Sequence, residues 1–348
     1  MDPTPYENPR FYFLALRILG IFGTLFNALT TYIILKHSPP VMRTYRYYLV
    51  FYQILSSSTS LILPLAKVEM FPPKTVLRLV ILWPEGGAGI KAAMSLGMFV
   101  GIGFCTANTQ CVVFKHNQLL PPHHRLRFHR TTYILLALFH YIGLPAVYLY
   151  GFQMGSADLV ANSPLRGSIL EQYPEYASIF LSPNIWIYNL SAKVPLFGVS
   201  IFEFMCILGI CMSHQMVFVS ALLLHSYHLL KRNTMMSEST KRLQKKLVQN
   251  LSMQVSIPGY TIVIPALTLT IATVAEVFVA PALANAMFLL FTCYGPVSSI
   301  SIIAPSPTYR RKLFSLLARL PSGRDTSLIS VEGRTRREPQ KNSKRSFK

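Results

Sequence analysis

The sequence contains little charge. Only 13% of its 348 residues are charged, and acidic residues are the scarcest, with 13 Asp and Glu against 33 Lys and Arg. Since 51% of the residues are hydrophobic, too few polar side chains remain to cover a soluble domain of this length, which indicates a membrane protein. The net charge of +20 does not indicate a nucleic-acid partner, because the basic residues are confined to short segments between long apolar runs.

Cysteine is also sparse, and its positions exclude two kinds of site. All five cysteines lie inside apolar runs, where we interpret them as small packing residues. Their spacing does not match a metal-binding motif. We therefore expect no disulfide between loops, no metal and no other cofactor.

Motifs of membrane-embedded enzymes are missing as well. The sequence has no His-Glu-x-x-His, no Gly-x-Ser-x-Gly and no pair of aspartates in facing spans. We therefore predict that the protein is not an enzyme.

Seven apolar runs are long enough to cross a bilayer, since about 20 residues rising about 1.5 Å each span the hydrocarbon core. Backbone groups in a bilayer must be satisfied internally, and the alternating pattern of barrel strands is absent. The sequence therefore predicts an all-α membrane protein, a seven-transmembrane helix bundle within residues 11–305. The predicted spans are 11–35, 47–66, 92–114, 131–152, 196–224, 251–274 and 283–304.

The placement of lysine and arginine predicts the orientation. The loops 36–46, 115–130 and 231–250, together with the tail 306–348, hold 25 of the 33 basic residues, while the opposite segments hold six beside eight acidic residues. Basic residues favour the cytosolic side and its anionic leaflet. The sequence thus predicts an N-terminus (1–10) outside and a C-terminus inside, with the first span as a retained signal-anchor.

The last span ends at a cluster of charge. Arg310 and Arg311 follow Tyr309, and leucines then recur at helical spacing, which predicts a short amphipathic helix at about 308–320 on the inner membrane surface. Within the span, Gly295 and nearby serines are small enough to let another helix approach closely. This patch is typical either of tight packing or of a moving contact.

Seven spans, an outside N-terminus, short loops and a final amphipathic segment resemble a G-protein-coupled receptor. Three stretches are similar to the nematode serpentine chemoreceptors of the Str superfamily, nearest the Srh and Sri groups. They are HSPPVMRTYRYYLVFYQI at 37–54, YPE at 173–175 and CYGPVSSISIIAPSPTYRR at 293–311. In departure from the family, Tyr294 precedes Gly295 where His-Gly is common. The general receptor motifs Asp-Arg-Tyr and Asn-Pro-x-x-Tyr are missing.

The resemblance implies a chemosensory receptor that binds an external small molecule and signals to a heterotrimeric G protein. It implies a multi-pass protein of the plasma membrane, with sensory cilia as a candidate location. A membrane transporter or ligand-gated channel is the alternative. It is less favoured because the sequence has no internal repeat and few ionisable residues inside its spans.

Two charged residues are candidates for ligand binding. Glu203 is predicted about seven residues into the fifth span, roughly 10 Å deep by helical rise, where a carboxylate needs a partner or a watery cavity. Lys67, at the outer end of the second span, is its candidate partner, and structural pairing is the alternative to a ligand role. Asn189 begins an N-glycosylation motif but lies close to the fifth span, which disfavours its modification.

The sixth and seventh spans contain candidate hinge residues. Pro258 and Pro265 each remove a backbone hydrogen bond and predict a bend, either a hinge that moves the inner end of the span or a static kink. Gly295 and Pro296 are the corresponding candidates in the seventh span. Exposed cations at the inner side either enforce topology alone or also face the G protein. These are Lys115, Arg125, Arg127, Lys241, Arg242, Lys245, Lys246, Arg310 and Arg311.

Overall fold

The structure of the chain is a computed structural model. It describes residues 9–71, 76–79, 87–121, 124–155, 164–174, 177–181, 185–187, 189–232, 237–275, 277 and 279–318. Residues 1–8 of the predicted N-terminal segment and the predicted tail from 319 onward lie outside the described residues.

Helices dominate the described part of the chain. In chain order they are α1 (Arg10–His37), α2 (Tyr45–Ala66), α3 (Gly87–Leu119), α4 (Arg130–Leu138, a π-helical turn Phe139–Gly143, then Leu144–Gly155), α5 (Pro164–Gln172), α6 (Ala177–Phe180), α7 (Ile201–Arg232), α8 (Glu238–Pro258, a π-helical turn Gly259–Val263, then Ile264–Val274), α9 (Pro281–Ile303) and α10 (Pro307–Leu317).

Seven of these helices form the bundle. Six of them, α1 to α4, α8 and α9, are long and apolar enough to cross a membrane, and α7 is the other long helix, with 32 residues. The predicted all-α seven-helix bundle is confirmed. The predicted amphipathic helix after the last span is confirmed as α10.

A small sheet, which the sequence analysis missed, covers one end of the bundle. Its strands β1 (Val68–Met70), β2 (Val76–Leu79) and β3 (Ile185–Ile187) are antiparallel and ordered β1-β2-β3. The first two strands follow α2, and the third precedes α7. We call this end of the bundle the sheet end and the opposite end, where α10 lies, the tail end.

α1 packs extensively against α2 and α9. A Cβ atom on Gly20 of α1 would lie 2.4 Å from Cγ of Pro64 in α2, which shows how closely the two helices approach. Such contacts hold membrane helices together because lipid provides no hydrophobic drive for their association. The largest buried cluster extends from this group to α3, α7, α8 and Tyr309 of α10.

Candidate functional site

The sheet end contains a buried ion pair. The register of β1 and β2 sets Glu69 opposite Arg78, and the two side chains form a salt bridge although only 2% and 8% of each residue is exposed. Burial raises the pKa of the Glu69 carboxyl, while the Arg78 guanidinium and the side chain of Asn285 in α9 oppose that rise. Three segments, the two strands and α9, therefore meet at one carboxylate.

The sheet is also tied to α1 and α9. The Tyr12 hydroxyl of α1 donates a hydrogen bond to the Val68 carbonyl, and α9 packs directly against β1. A buried polar group that lacks a partner costs about 1–3 kcal/mol. These hydrogen bonds and contacts therefore hold the sheet in a fixed position on the end of the bundle.

Aromatic side chains pack against the sheet through Val68 and Leu79, the strand neighbours of the ion pair. The Phe152 and Trp186 rings meet edge to face with their centroids 4.4 Å apart, and Phe288 of α9 packs against the same cluster. Asn285 precedes Phe288 by three residues and thus shares its helix face. The Asn285 side chain is 6% exposed, and its Oδ1 has no hydrogen-bond partner among the described residues. One face of α9 therefore carries both an apolar contact with this cluster and one buried acceptor, and small-molecule sites use such single polar groups among apolar side chains.

The structure gives Glu203 a different role from the predicted one. α7 begins at Ile201, later than the predicted start at 196, so Glu203 lies in the first helical turn. Its carboxylate accepts hydrogen bonds from the N–H (2.8 Å) and hydroxyl (2.9 Å) of Ser200, and the Glu203 N–H donates to the Ser200 hydroxyl (3.2 Å). This is a reciprocal capping box. The prediction of a deep intramembrane carboxylate is wrong, because Glu203 is exposed at the helix start.

Lys67 caps the end of α2 and is not paired with Glu203 as the sequence suggested. Its backbone is left-handed, with φ of 46°, and its N–H donates to the Leu63 carbonyl at 2.9 Å. Its Nζ lies 5.4 Å from the centroid of the Phe13 ring. No ion pair between Lys67 and Glu203 occurs in the described part of the chain.

A buried polar network occupies the core between α1, α2 and α9. The Gln53 Nε2 donates to Oδ1 of Asn27 at 2.8 Å and to the Ser299 hydroxyl at 2.5 Å, and that hydroxyl donates to Asn27 Oδ1 at 2.5 Å. None of the three side chains is exposed. Because the network contains no ionisable group, it joins three helices without the cost of a charge in the membrane.

A second pair of contacts lies next to this network. The Tyr52 and Tyr294 hydroxyls are 2.5 Å apart, and the Ser298 hydroxyl donates to Tyr52 at 2.9 Å. A Cβ on Gly295 would lie 1.8 Å from Oγ of Ser60. The position therefore requires a glycine for close approach of α9 to α2, which is the tight packing that the small-residue patch predicted. A moving contact at Gly295 or Pro296 stays a prediction.

The two predicted hinge prolines of α8 flank an irregular turn. The π-helical turn Gly259–Val263 starts directly after Pro258 and ends two residues before Pro265. Both proline side chains are buried. Each proline removes a backbone donor, and π-helical turns often occur where the regular ladder is interrupted. The break in the helix is observed, and its motion stays a prediction.

Histidines join two helices at the tail end. His116 of α3 and His225 of α7 are hydrogen-bonded through Nε2 and Nδ1 at 2.8 Å, and the His116 side chain is fully buried. The adjacent Lys115 is only 6% exposed; its Nζ donates to Gln118 at 3.0 Å and lies 4.2 Å from the centroid of the Tyr45 ring. Lys115 does not present its charge at the surface, in contrast to the predicted G-protein-facing role.

The other predicted basic residues do lie at the surface of the tail end. Lys241 is half-buried, 3.9 Å from Glu238, and the remainder are exposed, namely Arg125, Arg127, Arg242, Lys245, Lys246, Arg310 and Arg311. α10 is held in place by Tyr309, whose buried hydroxyl lies 2.8 Å from the Ser38 hydroxyl at the end of α1. The tail end therefore presents a basic surface made by three separate segments.

The residues that were missed follow a pattern visible in the sequence. Two short apolar runs, VEMF and VLRL, flank the prolines 72–73, and short runs on either side of a turn signal are typical of a hairpin. That pattern could have paired Glu69 with Arg78. No local signal identifies Asn27, Gln53 or Asn285, because their partners lie on other helices.

Comparisons with known proteins agree with this architecture. The chain is similar in structure to squid rhodopsin, with a TM-score of 0.51, 15% identity, and coverage of 92% of this chain and 87% of that chain. A comparison with curated proteins found no match. The fold is that of a G-protein-coupled receptor.

Residues 7–319 match the family described as serpentine type 7TM GPCR chemoreceptor Srh. The chain belongs to this family. The resemblance to serpentine chemoreceptors is thereby confirmed, and of the two nearest groups named from the sequence the match is to Srh.

Proposed function

We propose that this receptor binds an external small molecule at its sheet end and signals to a heterotrimeric G protein at its tail end. In this proposal the N-terminus is outside and the C-terminus is cytosolic, because the basic loops and α10 favour the anionic inner leaflet. The receptor acts in the plasma membrane, with sensory cilia as the candidate site.

Asn285 is the proposed ligand-binding residue. Its buried Oδ1 can accept a hydrogen bond from a ligand. Phe288, three residues along the same helix, packs against the apolar cluster that includes Phe152 and Trp186. A small, mostly apolar molecule with one hydrogen-bond donor fits this chemistry. Glu203 and Lys67 are the candidates from the sequence. Because both residues cap helix ends in the structure, Asn285 is the stronger candidate for ligand binding.

The proposal rests on one observation: the same helix carries the candidate ligand contact and residues that pack in the core of the bundle. α9 holds Asn285 near its start and Gly295 and Ser299 further along. A ligand that shifts Asn285 thus acts on the helix that packs against α1 and α2. Any such shift requires the ligand to bind one arrangement more tightly than the other.

The proposed signal reaches the tail end through α9 and α8. These helices pack against each other, and α8 contains the π-helical turn between Pro258 and Pro265. Movement of the first part of α8 away from α3 would open a cleft beside its basic residues, Lys241, Arg242, Lys245 and Lys246, for an acidic transducer surface.

The test is expression in cultured cells with a calcium or cyclic-nucleotide reporter, screened with volatile and water-soluble compounds. For an active compound, Asn285→Leu should raise the half-maximal concentration about tenfold or more at equal surface expression, which corresponds to about 1.4 kcal/mol. The control Asn189→Leu removes an amide from the same end and should leave the response unchanged.

Two results would count against the proposal. An unchanged response of Asn285→Leu would remove Asn285 from the ligand site. A ligand-dependent current through the purified protein in liposomes, without any transducer, would favour the channel alternative.

A further inference from the structure

A cleft of about 680 Å³ lies at the tail end, between the loop that follows α3 and the ends of α2, α3 and α4. We call it the basic cleft. Tyr48, Phe114 and Tyr133 form its aromatic wall, and Arg127, His129 and Arg130 line it on the side of the loop. The three loop-side residues are exposed.

Two imidazoles of the basic cleft are oriented as hydrogen-bond donors. The His124 Nδ1 accepts from the Leu126 N–H at 3.2 Å, and the His129 Nδ1 accepts from the Thr131 N–H at 3.4 Å. In a neutral imidazole with Nδ1 as the acceptor, Nε2 carries the proton. Both rings, which line the cleft, are therefore set to donate through Nε2.

Among the described residues, no carboxylate forms an ion pair with these donors. The loops 36–46 and 115–130 contain no Asp or Glu, and within the described residues no ion pair involves Arg127 or Arg130. Guanidinium groups present paired N–H donors that match the oxygens of a phosphate. Two arginines and two imidazoles in one cleft are typical of a multiply charged anion site.

The position of the cleft favours a lipid as the source of that anion. The first segment of α4, Arg130–Leu138, contains no fully buried residue, so this end of α4 lies at the periphery of the bundle. Tyrosine is typical of the headgroup level of a membrane. Basic pockets between helices on the cytosolic side bind phosphorylated lipid headgroups.

We propose that the basic cleft binds the phosphorylated inositol headgroup of an inner-leaflet lipid, with Arg127 and Arg130 contacting phosphate and the aromatic wall contacting the start of the acyl chains. The assignment to the inner leaflet rests on the proposed orientation. Binding of the lipid itself does not, because it depends only on the cleft.

The test uses the full chain purified in detergent micelles, without external ligand or G protein. Binding of fluorescent dioctanoyl phosphatidylinositol bisphosphate is measured for the wild type, for Arg127→Gln/Arg130→Gln, and for the control Arg310→Gln/Arg311→Gln, which removes the same charge from α10. The affinity of the cleft variant for the lipid should be lower by about tenfold or more. The affinity of the control should stay within about twofold of the wild type. Thermal unfolding of each variant verifies folding, and the single variants Arg127→Gln and Arg130→Gln replace the double variant if it unfolds.

Competition separates the possible sources of the anion. Dioctanoyl phosphatidylserine and free inositol trisphosphate should each compete about tenfold less effectively than the bisphosphate lipid. Equal losses in the cleft and control variants would overturn the proposal in favour of diffuse surface charge. Equal competition by free trisphosphate would overturn the lipid source. Unchanged lipid binding in the cleft variant would overturn the assignment of Arg127 and Arg130 to the lipid phosphates.

Because no signalling is measured, a chain that fails as a chemoreceptor can still bind the lipid. Conversely, a functional chemoreceptor can fail this binding test. The two proposals are therefore tested independently.

Discussion

The hydroxyl of Tyr52 in α2 lies 2.5 Å from the hydroxyl of Tyr294 in α9, and both residues are buried. The two tyrosines are 242 positions apart in the sequence, so the bond forms only when the bundle is assembled. It lies beside the network of Asn27, Gln53 and Ser299, and together these side chains join the first, second and last helices of the bundle.

Replacing Tyr294 by phenylalanine tests the strength of this bond. Tyr294→Phe should lower the free energy of unfolding by about 1 kcal/mol, because Tyr52 keeps its bond from Ser298. Thermal unfolding of the purified receptor measures the change. The control Tyr260→Phe alters a tyrosine that is 70% exposed and should leave the midpoint unchanged; equal effects would show that the buried bond contributes nothing specific.

The close approach at Gly295 predicts a steric cost. Gly295→Ala should lower the free energy of unfolding by about 1–3 kcal/mol, because its Cβ would collide with Ser60. Ser60→Ala in the same chain should recover part of that loss, since it removes the nearest atom. At Gly209 a Cβ would meet nothing within 4 Å, so Gly209→Ala is the matched control. Full stability of the Gly295→Ala receptor would contradict the tight contact.

The buried ion pair of the sheet predicts strong coupling. Arg78→Met leaves the Glu69 carboxylate buried without its cation and should cost about 3 kcal/mol. The double variant Glu69→Gln/Arg78→Met should lose less than the sum of the two single losses, as chemical denaturation of all four proteins would show. Strict additivity would contradict the coupling.

The surface pair of Glu238 and Lys241, 3.9 Å apart, provides the comparison for that cycle. Lys241→Met should cost about 0.5 kcal/mol or less, because a solvated pair contributes little. If Lys241→Met and Arg78→Met lower the free energy of unfolding by similar amounts, burial does not make the Glu69–Arg78 pair more important for stability than a surface pair.

The buried side chain of Tyr309 is expected to attach α10 to the bundle. Burial raises the pKa of the Tyr309 hydroxyl, so this hydroxyl, which lies 2.8 Å from that of Ser38, stays protonated to a higher pH than an exposed tyrosine. Tyr309→Ala should release α10 and increase hydrogen exchange over Pro307–Leu317 by about tenfold or more. Tyr309→Phe keeps the ring and should change exchange much less. Equal exchange in the two variants would assign the attachment to the hydroxyl and not to ring packing.

The prolines of α8 predict a defect in signalling. Pro258→Ala/Pro265→Ala restores two backbone donors and favours a regular helix in place of the π-helical turn. Ligand-stimulated reporter activity should be abolished at normal surface expression. Pro281→Ala, at the start of α9 where a proline removes no intrahelical bond, should signal normally. Normal signalling by the double variant would reduce the π-helical turn to a static feature.

The bundle could be predicted from the sequence because a membrane leaves the chain few choices. Runs such as 47–66 are too apolar for water and must satisfy their backbone groups internally, which makes them helices. The spacing of leucines after Arg311 predicted α10 for the same reason, since a helix on a membrane surface must separate its apolar and charged faces. The starts of helices were less certain. The sequence predicted Glu203 at a depth of roughly 10 Å, whereas in the structure it belongs to the capping box in the first turn of α7.

Contacts between distant segments could not be predicted in this way. Glu69 and Asn285 meet although they are more than 200 positions apart in the sequence, and the buried Lys115 lies over the ring of Tyr45. In both cases the sequence does not show which distant segment faces the polar side chain.

The sequence by itself determined that the chain forms a bundle of membrane-length helices with a basic set of loops, because hydropathy and charge act on each segment separately. Only the tertiary structure decided that Asn27, Gln53 and Ser299 share one network, that Glu69 and Arg78 pair within the sheet that covers one end of the bundle, and that Asn285, with a buried acceptor, lies beside Glu69. Those arrangements depend on the rotation and spacing of neighbouring helices, which follow from packing among all of them at once.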